Sequence, residues 1–482
     1  MISALLFAVL MESGSAAAAV QSPPPPAAPR ETKVPQPVEK TLANGLRVIV
    51  VPKPGIPLVA ARLVVKAGAA ADPKGRDGLA QLTADVLTKG TTTRTAEQIA
   101  QGVEALGATM SANAGWDSSS IDVSVMSSNL EKAMEFVSDV ARNATFKQKE
   151  LDRERARTLD SLQVTLEQPD EIASLVAARL VYGDAPYGHN LAGLPSTLEK
   201  IKREDLVKFH RTNYHPDNAL LVFAGDVKPE SAFTLAQKLF GSWKSGAAGS
   251  QPAEKSASDT SKPRVVVIDM PEAGNSAVVI AGRGIRRADA DYAKAVVTNM
   301  VLGGGYSSRL NQEVRIKRGL SYGATSSFDM RADVGPFIAA AQTKHESAAQ
   351  LADLMRVEID RLASTDVPAT ELVPRKAAVI GSFAFSLETT SGIVNRVAAL
   401  ALYGQPLSDI NQYVPRAQAV TAEDVKSFAT SHLASKNFNV VIAGNAKEFI
   451  EPLKKEFSDV EVISKADLDL TSATLRVRKK KE

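Results

Sequence analysis

The segment from residue 302 to 323 brings together several side chains that could do chemistry. Gly303, Gly304 and Gly305 form a triple glycine, and two hydrogen-bond donors, Arg315 and Tyr322, follow it seven residues apart. A glycine run can cradle a phosphate, but this one lacks the G-K-[ST] motif and the matching strand–loop–helix pattern. A helix end and a flexible loop explain it better. By residue type alone, Arg315 and Tyr322 are more typical of a helix surface and of packing beside a glycine turn than of catalysis.

Side chains that bind metals or act as nucleophiles are scarce. The chain contains no cysteine, which excludes disulfides, cysteine-based zinc sites and thiol catalysis. Its five histidines are His189, His210, His215, His345 and His432. Two of them, His210 and His215, flank a predicted helix end and turn, where packing or capping is the better explanation.

Residues 78–91 have the form of a zinc-peptidase helix without its ligands. They read GLAQLTADVLTKGT, whereas the pitrilysin/insulinase-like metallopeptidases (inverzincins) carry G-x-A-H-x-x-E-H-x-L-x-x-G-T. The segment resembles that family's motif, with Gln81 and Asp85 at the positions of the two histidines and Ala84 at that of the catalytic glutamate. None of the five histidines falls within the motif.

The resemblance also locates the family's third zinc ligand, which falls on Ser161. Glu154 matches a glutamate that relatives keep seven residues earlier, and without a metal to serve it fits a surface position or a salt bridge. A tetrahedral zinc site takes three protein ligands and one open position, and Asp85 alone cannot supply them. The resemblance therefore implies that this chain holds no metal and no other cofactor.

A third family feature is retained in the second half of the chain. Relatives carry an Arg and a Tyr seven residues apart, which Arg315 and Tyr322 match, and a neighbouring glycine-rich loop that guides substrate. The resemblance implies that Gly303, Gly304 and Gly305 contact substrate and that Arg315 and Tyr322 bind it near the scissile bond. Amide hydrolysis places negative charge on the carbonyl oxygen, which fixed donors stabilise.

The short family type, which includes the mitochondrial processing peptidase subunits, divides this labour between chains. One subunit carries the zinc motif, and its partner carries the Arg–Tyr pair. This chain has the second pattern, so we expect the non-zinc subunit of a heterodimer whose homologous partner bears H-x-x-E-H and zinc, with peptides as substrates. The alternative is an inactive scaffold or binding protein of the same fold. Relatives that lack the zinc motif also serve as core subunits of respiratory complexes.

An internal repeat predicts two domains. Residues 204–225 align without gaps to residues 423–444, and seven of the 22 positions are identical. Residues 107–109 and 323–325 repeat the sequence Gly-Ala-Thr at nearly the same offset. Two agreeing offsets indicate duplication.

The domain boundaries follow from the repeat and from composition. We predict homologous domains at 35–243 and 263–463, joined by a Gly/Ser/Ala-rich linker at 244–262 and followed by a tail at 464–482. Residues 1–34 resemble a bacterial secretory signal and a Pro-rich spacer, which predicts export to the periplasm.

Strand and helix patterns both recur without strict alternation, which predicts an α+β fold with a largely antiparallel sheet in each domain. Predicted strands are 46–51, 60–65, 120–125, 265–268 and 277–281. Predicted helices are 79–88, 96–106, 130–143 and 148–166.

Composition excludes several functional classes. Hydrophobic residues make up 44% of the chain, which is enough for folded cores. The 57 Lys and Arg nearly balance the 54 Asp and Glu, so the net charge of +3 argues against nucleic-acid binding. No run of about 20 apolar residues occurs, so no transmembrane helix is expected in the mature protein.

Overall fold

The structure is a computed structural model that describes residues 33–246 and 262–477. The predicted signal segment, most of the predicted linker and the end of the predicted tail lie outside these residues.

Two six-stranded sheets form the framework. The first has the strand order β1-β2-β6-β3-β5-β4 and the second β12-β7-β11-β8-β10-β9. Among the described strands, only the β2–β6, β7–β11 and β7–β12 pairs are parallel, so the predicted α+β class with largely antiparallel sheets is confirmed. The strands are β1 (Val38–Thr41), β2 (Arg47–Pro52), β3 (Leu58–Val65), β4 (Thr109–Ala114), β5 (Ser119–Met126), β6 (Ala219–Gly225), β7 (Val265–Asp269), β8 (Ser276–Arg283), β9 (Ala324–Phe328), β10 (Pro336–Thr343), β11 (Asn439–Gly444) and β12 (Val460–Ser464).

Helices surround both sheets. In the first half they are α1 (Leu79–Leu87), α2 (Ala96–Ala105), α3 (Leu130–Asn143), α4 (Gln148–Thr165), α5 (Pro169–Tyr182), α6 (Pro195–Leu198), α7 (Arg203–Asn213) and α8 (Pro229–Phe240). In the second half they are α9 (Tyr292–Leu302), α10 (Arg309–Asn311), α11 (Ala348–Ser364), α12 (Ala369–Ser386), α13 (Thr390–Leu402), α14 (Asp409–Ala419), α15 (Ala422–His432) and α16 (Ile450–Glu456). A π-helical turn, Gln312–Ile316, follows α10.

The repeated segments occupy equivalent places in the two halves. Residues 204–225 form most of α7 and all of β6, and residues 423–444 form most of α15 and all of β11. The repeated Gly-Ala-Thr leads into β4 in the first half and into β9 in the second. The two halves are therefore copies of one α+β unit.

Each sheet has one face covered by a helix from the other half. Because side chains alternate between the faces of a strand, β2, β3 and β6 are apolar on both. One face of the first sheet packs on helices of its own half. The opposite face, which includes Ile49, Val64 and Val222, packs on α13 residues such as Val397.

The second sheet repeats this arrangement in the opposite direction. Its residues Ile268, Val279 and Val441 pack on Ala173 and Val176 of α5, which belongs to the first half. The halves thus exchange helices.

The C-terminal segment differs from the predicted tail. Leu475 is fully buried in the core beside α5, and the Leu470 carbonyl accepts a hydrogen bond from Arg179. As far as residue 477, the segment after β12 is packed against the second sheet, because it covers apolar surface that the sheet and α5 leave open.

No single helix among residues 33–246 and 262–477 is long and apolar enough to cross a membrane. The consecutive helices α12 and α13 meet the length and composition criteria only as a pair bent by 109°.

Candidate functional site

The N-terminus of α1 is held by a buried carboxylate. Asp72 accepts hydrogen bonds of 2.8 Å from the backbone N–H groups of Gly78 and Ala80. Gly78 has a φ of +93°, and a Cβ there would lie 2.8 Å from the Ala192 carbonyl oxygen. Glycine is therefore required at this position, and the frame of the predicted zinc helix survives for structural reasons.

The three altered positions on α1 serve the packing of the helix. Gln81 Nε2 donates to Asp85 Oδ1 at 2.9 Å, and Gln81 Oε1 accepts from the backbone N–H of Ala114 at 3.2 Å. Ala84 is 1% exposed and lies in the first core. Gln81 thus fastens α1 to the end of the edge strand β4.

A cluster of charged side chains joins α1 to α4. Glu154, only 4% exposed, lies 2.8 Å from Arg157 and 3.4 Å from Lys89. Arg157 also lies 3.9 Å from Asp85. Burial raises the pKa of Asp85, while the Gln81 hydrogen bond and Arg157 oppose that rise. Glu154 thus forms the predicted salt bridges, while its burial shows that the alternative of a surface position is wrong.

The residues at this place do not fit zinc. Ala84 has no ligating atom, the Gln81 amide is already engaged on both sides, and Ser161 is exposed two turns along α4 from Glu154. Within the described part of the chain, no group of three or more His, Cys, Asp or Glu is placed to hold a metal ion. A tetrahedral zinc site needs three converging ligands, which this donor set cannot provide.

The triple glycine ends α9 and lets the chain pass close to β9. The N–H groups of Gly303 and Gly304 both donate to the Asn299 carbonyl, at 2.9 and 2.8 Å. A Cβ on Gly303 would lie 2.3 Å from the backbone nitrogen of Ser326, whereas one on Gly305 would meet only the Met300 sulfur at 3.4 Å. Gly303 is therefore a close-packing position, and Gly304 is the exposed member of the three.

Arg315 and Tyr322 both project into solvent. Arg315 lies on the π-helical turn, a local irregularity that often marks functional sites. Its guanidinium lies 5.0 Å from the ring centre of Tyr306, and no carboxylate of the described chain pairs with it. Tyr322 is 96% exposed, and its side chain forms no hydrogen bond or ring contact within the described residues.

The neighbouring cations differ from Arg315. Lys317 and Arg318 both contact Glu313, at 2.5 Å in the case of Lys317. Although burial opposes it, these hydrogen bonds lower the pKa of Glu313. Arg309 pairs with Glu371 at 2.9 Å. Arg315 is thus the arginine of this segment that is left available to a group outside the chain.

Sequence reasoning missed a polar cluster between the two halves. Asp117, in the turn after β4, accepts hydrogen bonds from the hydroxyls of Tyr187 and Tyr403 and from the backbone N–H of Ala332. The Tyr403 and Ala332 bonds measure 3.1 and 2.9 Å and come from the second half. No motif marks this cluster; the only signal was a Trp-Asp pair in a chain with two tryptophans.

An arginine from the second half completes the cluster. Arg331 is 7% exposed, and its guanidinium lies 4.3 Å from the ring centre of Trp116 and 4.6 Å from that of Tyr187. It pairs with Asp329 at 2.6 Å. Stacked aromatic rings and an ion pair therefore hold this buried cation where the halves meet.

Comparisons with known proteins identify the family of this chain. Residues 47–193 match the insulinase family (peptidase family M16), and residues 200–378 match the peptidase M16 inactive domain. The chain belongs to the M16 peptidase family. The two matches together span about two thirds of its length, which confirms the resemblance seen in the motif.

M16 relatives cover nearly the whole chain. An uncharacterized zinc protease of Mycobacterium tuberculosis is 28% identical over 413 residues, which are 85% of this chain and 93% of that protein. An uncharacterized zinc protease of Bacillus subtilis is 23% identical over 391 residues, or 81% and 94% of the two chains.

Solved structures agree with the fold. The M16 inactive domain from Pseudomonas fluorescens has a TM-score of 0.78 at 28% identity and covers 85% of this chain and 98% of its own. A protease from Helicobacter pylori has a TM-score of 0.81 at 21% identity, over 86% and 100%. The chain thus has the two-domain fold of these M16 structures.

Proposed function

We propose that this chain is the non-zinc-binding subunit of a heteromeric zinc peptidase. It would present Arg315 and Tyr322 to a homologous partner that carries an H-x-x-E-H motif and the zinc ion. The observation that carries the proposal is the exposure of these two donors, neither of which pairs with a polar side chain of the described residues. A tyrosine exposed over 96% of its surface has no packing role within its own chain.

The roles of the two side chains follow from the chemistry of amide hydrolysis. Negative charge develops on the carbonyl oxygen in the transition state, and fixed donors stabilise it best where water is excluded. Arg315 is a permanent cation with several N–H donors, and Tyr322 has one hydroxyl donor. The ring of Tyr306 beneath Arg315 restricts its guanidinium. We therefore assign both donors to the substrate carbonyl and its neighbours.

An extended or unfolded peptide is the substrate that the architecture favours. The outer side of β4 is unpaired, because β4 is an edge of the first sheet. An extended peptide can add to such an edge through main-chain hydrogen bonds. Gln81 already binds the N–H of Ala114 at one end of β4, so its amide would help to set where such a peptide ends.

A periplasmic location completes the proposal. It rests on the signal-like composition of residues 1–34. Secretion of a fusion of this segment to a reporter that is active only after export would support it. A reporter retained with the cytoplasmic fraction would contradict it.

The test is a tagged pull-down from the native host followed by peptide hydrolysis in the eluate. We expect a stoichiometric H-x-x-E-H-bearing chain and chelator-sensitive activity. Tyr322→Phe should reduce kcat by about 10²–10³-fold and leave the amount of co-purified partner unchanged. Tyr292→Phe is the matched control, because the Tyr292 hydroxyl forms no hydrogen bond within the described residues and its ring would still stack on Arg287.

Two outcomes would contradict the proposal. Wild-type hydrolysis by the Tyr322→Phe complex would remove the catalytic role of this chain and favour a scaffold. Purification without any zinc-bearing partner, or with an unrelated membrane assembly, would remove the subunit role.

A further inference from the structure

A cavity of about 880 Å³ lies where the two halves meet. The first half contributes the segment between β3 and α1, the turn at Trp116 and part of α7, and the second half contributes Arg283, Asp333 and Tyr403. The volume falls within the range of about 300–1,000 Å³ that is usual for small-molecule sites. None of the predicted site residues lines it.

All four carboxylates that line the cavity already accept protein hydrogen bonds. Asp72 binds two N–H groups of α1, and Asp117 binds two tyrosines and a backbone N–H. Asp205 binds the Lys202 N–H and Arg76, and Asp333 binds the Val334 N–H and Arg286. Asp72 and Asp117 accept on both carboxylate oxygens, whereas Asp205 and Asp333 accept on one oxygen each and are paired with Arg76 and Arg286.

Two lining amines have no such partner. Lys66 directly follows β3 and is half-buried, and Lys208 is exposed on α7. Neither ammonium group forms an ion pair or a side-chain hydrogen bond within the described residues, whereas the lining residue Lys74 contacts Asp184 at 3.5 Å. Burial, and to a lesser degree the charge of Arg47, lowers the pKa of Lys66. An unpaired, half-buried ammonium is costly, and a bound anion would relieve that cost.

The rest of the wall is largely apolar. Trp116, Leu79, Phe209 and Leu402 line it together with several alanines. The Trp116 ring is held in place by Arg331 at 4.3 Å and by the edge of Tyr187, with ring centres 5.7 Å apart. An apolar wall beside unpaired ammonium groups suits a ligand that has an apolar body and one anionic end.

We propose that this cavity binds a carboxylate carried on an apolar or aromatic group, with Lys66 as its principal cation. The carboxylate could come from the C-terminal residue of a short peptide or from a free organic acid, since both present the same chemistry. The site is separate from Arg315 and Tyr322 and does not rest on the proposed function.

Calorimetric titration of the full chain, without any partner, tests this inference. The probes are the tripeptide Ala-Leu-Phe with a free C-terminus, the same peptide as its C-terminal amide, and 4-phenylbutyrate. We expect saturable binding of the free acid and at least tenfold weaker binding of the amide, because the amide cannot form the charge-assisted hydrogen bond. Binding of the tripeptide alone would assign the site to peptide ends, binding of 4-phenylbutyrate alone would assign it to free acids, and equal binding would show that the carboxylate itself is recognised.

Variants locate the site. Lys66→Gln should weaken binding of the acid at least tenfold and leave that of the amide unchanged, Lys66→Arg should retain most of the affinity, and Lys132→Gln, on the exposed side of α3, should have no effect. Trp116 fluorescence in a Trp243→Phe background should change on saturation, since Trp243 is the only other tryptophan.

Equal affinity for acid and amide, unchanged affinity in Lys66→Gln, or no binding of either the tripeptide acid or 4-phenylbutyrate at millimolar concentration would overturn the proposal. If Lys66→Gln fails to fold by circular dichroism, the comparison of acid with amide on the wild-type chain still decides. Because no hydrolysis is measured, failure here leaves the proposed peptidase role untouched.

Discussion

Asp85 shows how the altered zinc helix has been accommodated at the level of one residue. Its carboxylate is partly buried, accepts from Gln81 and shares Arg157 with Glu154. Burial raises its pKa from an ordinary value of 3.8. The folded state therefore holds this proton more tightly than the unfolded chain, so the contribution of Asp85 to stability is fullest below about pH 4 and declines as the pH rises through the folded pKa.

The variant Asp85→Asn tests whether the contribution of Asp85 to stability declines as the pH rises. Asn keeps an oxygen for the Gln81 hydrogen bond but cannot ionise. We expect the free energy of unfolding of the variant, relative to wild type, to rise between about pH 4 and pH 7.5, as measured by urea denaturation at several pH values. Asp160→Asn, exposed on α4, should follow wild type throughout. A pH-independent difference for Asp85→Asn would show that ionisation of this group is not what changes.

Replacement of Asp117 should lower the stability of the whole molecule, because this residue links the two halves. Asp117→Ala leaves the hydroxyls of the buried Tyr187 and the half-buried Tyr403 and the Ala332 N–H without their acceptor. We expect a loss of about 2–4 kcal/mol in the free energy of unfolding, measured by urea denaturation. Asp366→Ala removes a surface ion pair with Lys426 and should cost less than about 1 kcal/mol. Equal losses in the free energy of unfolding of the two variants would show that Asp117 does not stabilise the contact between the halves.

The sequence predicted some of these residues and not others. Gln81, Ala84 and Asp85 could be located because a helix motif keeps fixed spacing even after its ligands are replaced. Asp117, Arg331 and the cavity could not, because they meet only when the two halves pack and no local pattern records that contact.

Among the structural elements, the turn after α9 depends most on a single residue type. A Cβ on Gly303 would come within 2.3 Å of the Ser326 nitrogen. The φ angle of Gly303 is −151°, which any residue can adopt. Glycine is therefore needed at this position because there is no space for a side chain, and not because the backbone is left-handed. The turn positions β9, which begins two residues after Tyr322.

Gly303→Ala should therefore destabilise the second half. Overpacking typically costs about 1–3 kcal/mol, and we expect a shift of that size in the urea unfolding transition. Gly305→Ala should have little effect, because its Cβ would meet only the flexible end of Met300 at 3.4 Å. Similar stability of the two variants would show that the contact with Ser326 can relax.

Local patterns predicted several elements well. The helices expected at 79–88, 96–106, 130–143 and 148–166 are observed with ends that agree to within one residue, because their apolar periodicity and end signals lie in the same short segments. Several strands were not predicted, among them the edge strands β1 and β12, since edge strands bury little and carry a weak pattern. The burial of Leu475 was missed for another reason: a short polar segment does not reveal one distant apolar contact.

At the scale of the whole molecule, the exchange of α5 and α13 joins the halves more firmly than a linker could. Each helix completes a core of the other half. A chain cleaved within residues 247–261, at an engineered protease site, should therefore stay together. We expect one peak of unchanged size in gel filtration and a single unfolding transition. Separation of the fragments in native buffer would mean that the linker, and not the exchanged helices, holds the halves.

The exchange of helices also determines when each half can complete its folding during translation. The last strand of the first sheet ends at Gly225, but the helix that covers its second face ends at Leu402, about 180 residues later. At roughly 5–20 residues per second, translation leaves that face bare for on the order of 10–40 s. The nascent chain therefore offers chaperones a broad apolar surface of Ile, Val and Leu side chains during more than a third of its synthesis, and its N-terminal half cannot finish folding before α13 has emerged.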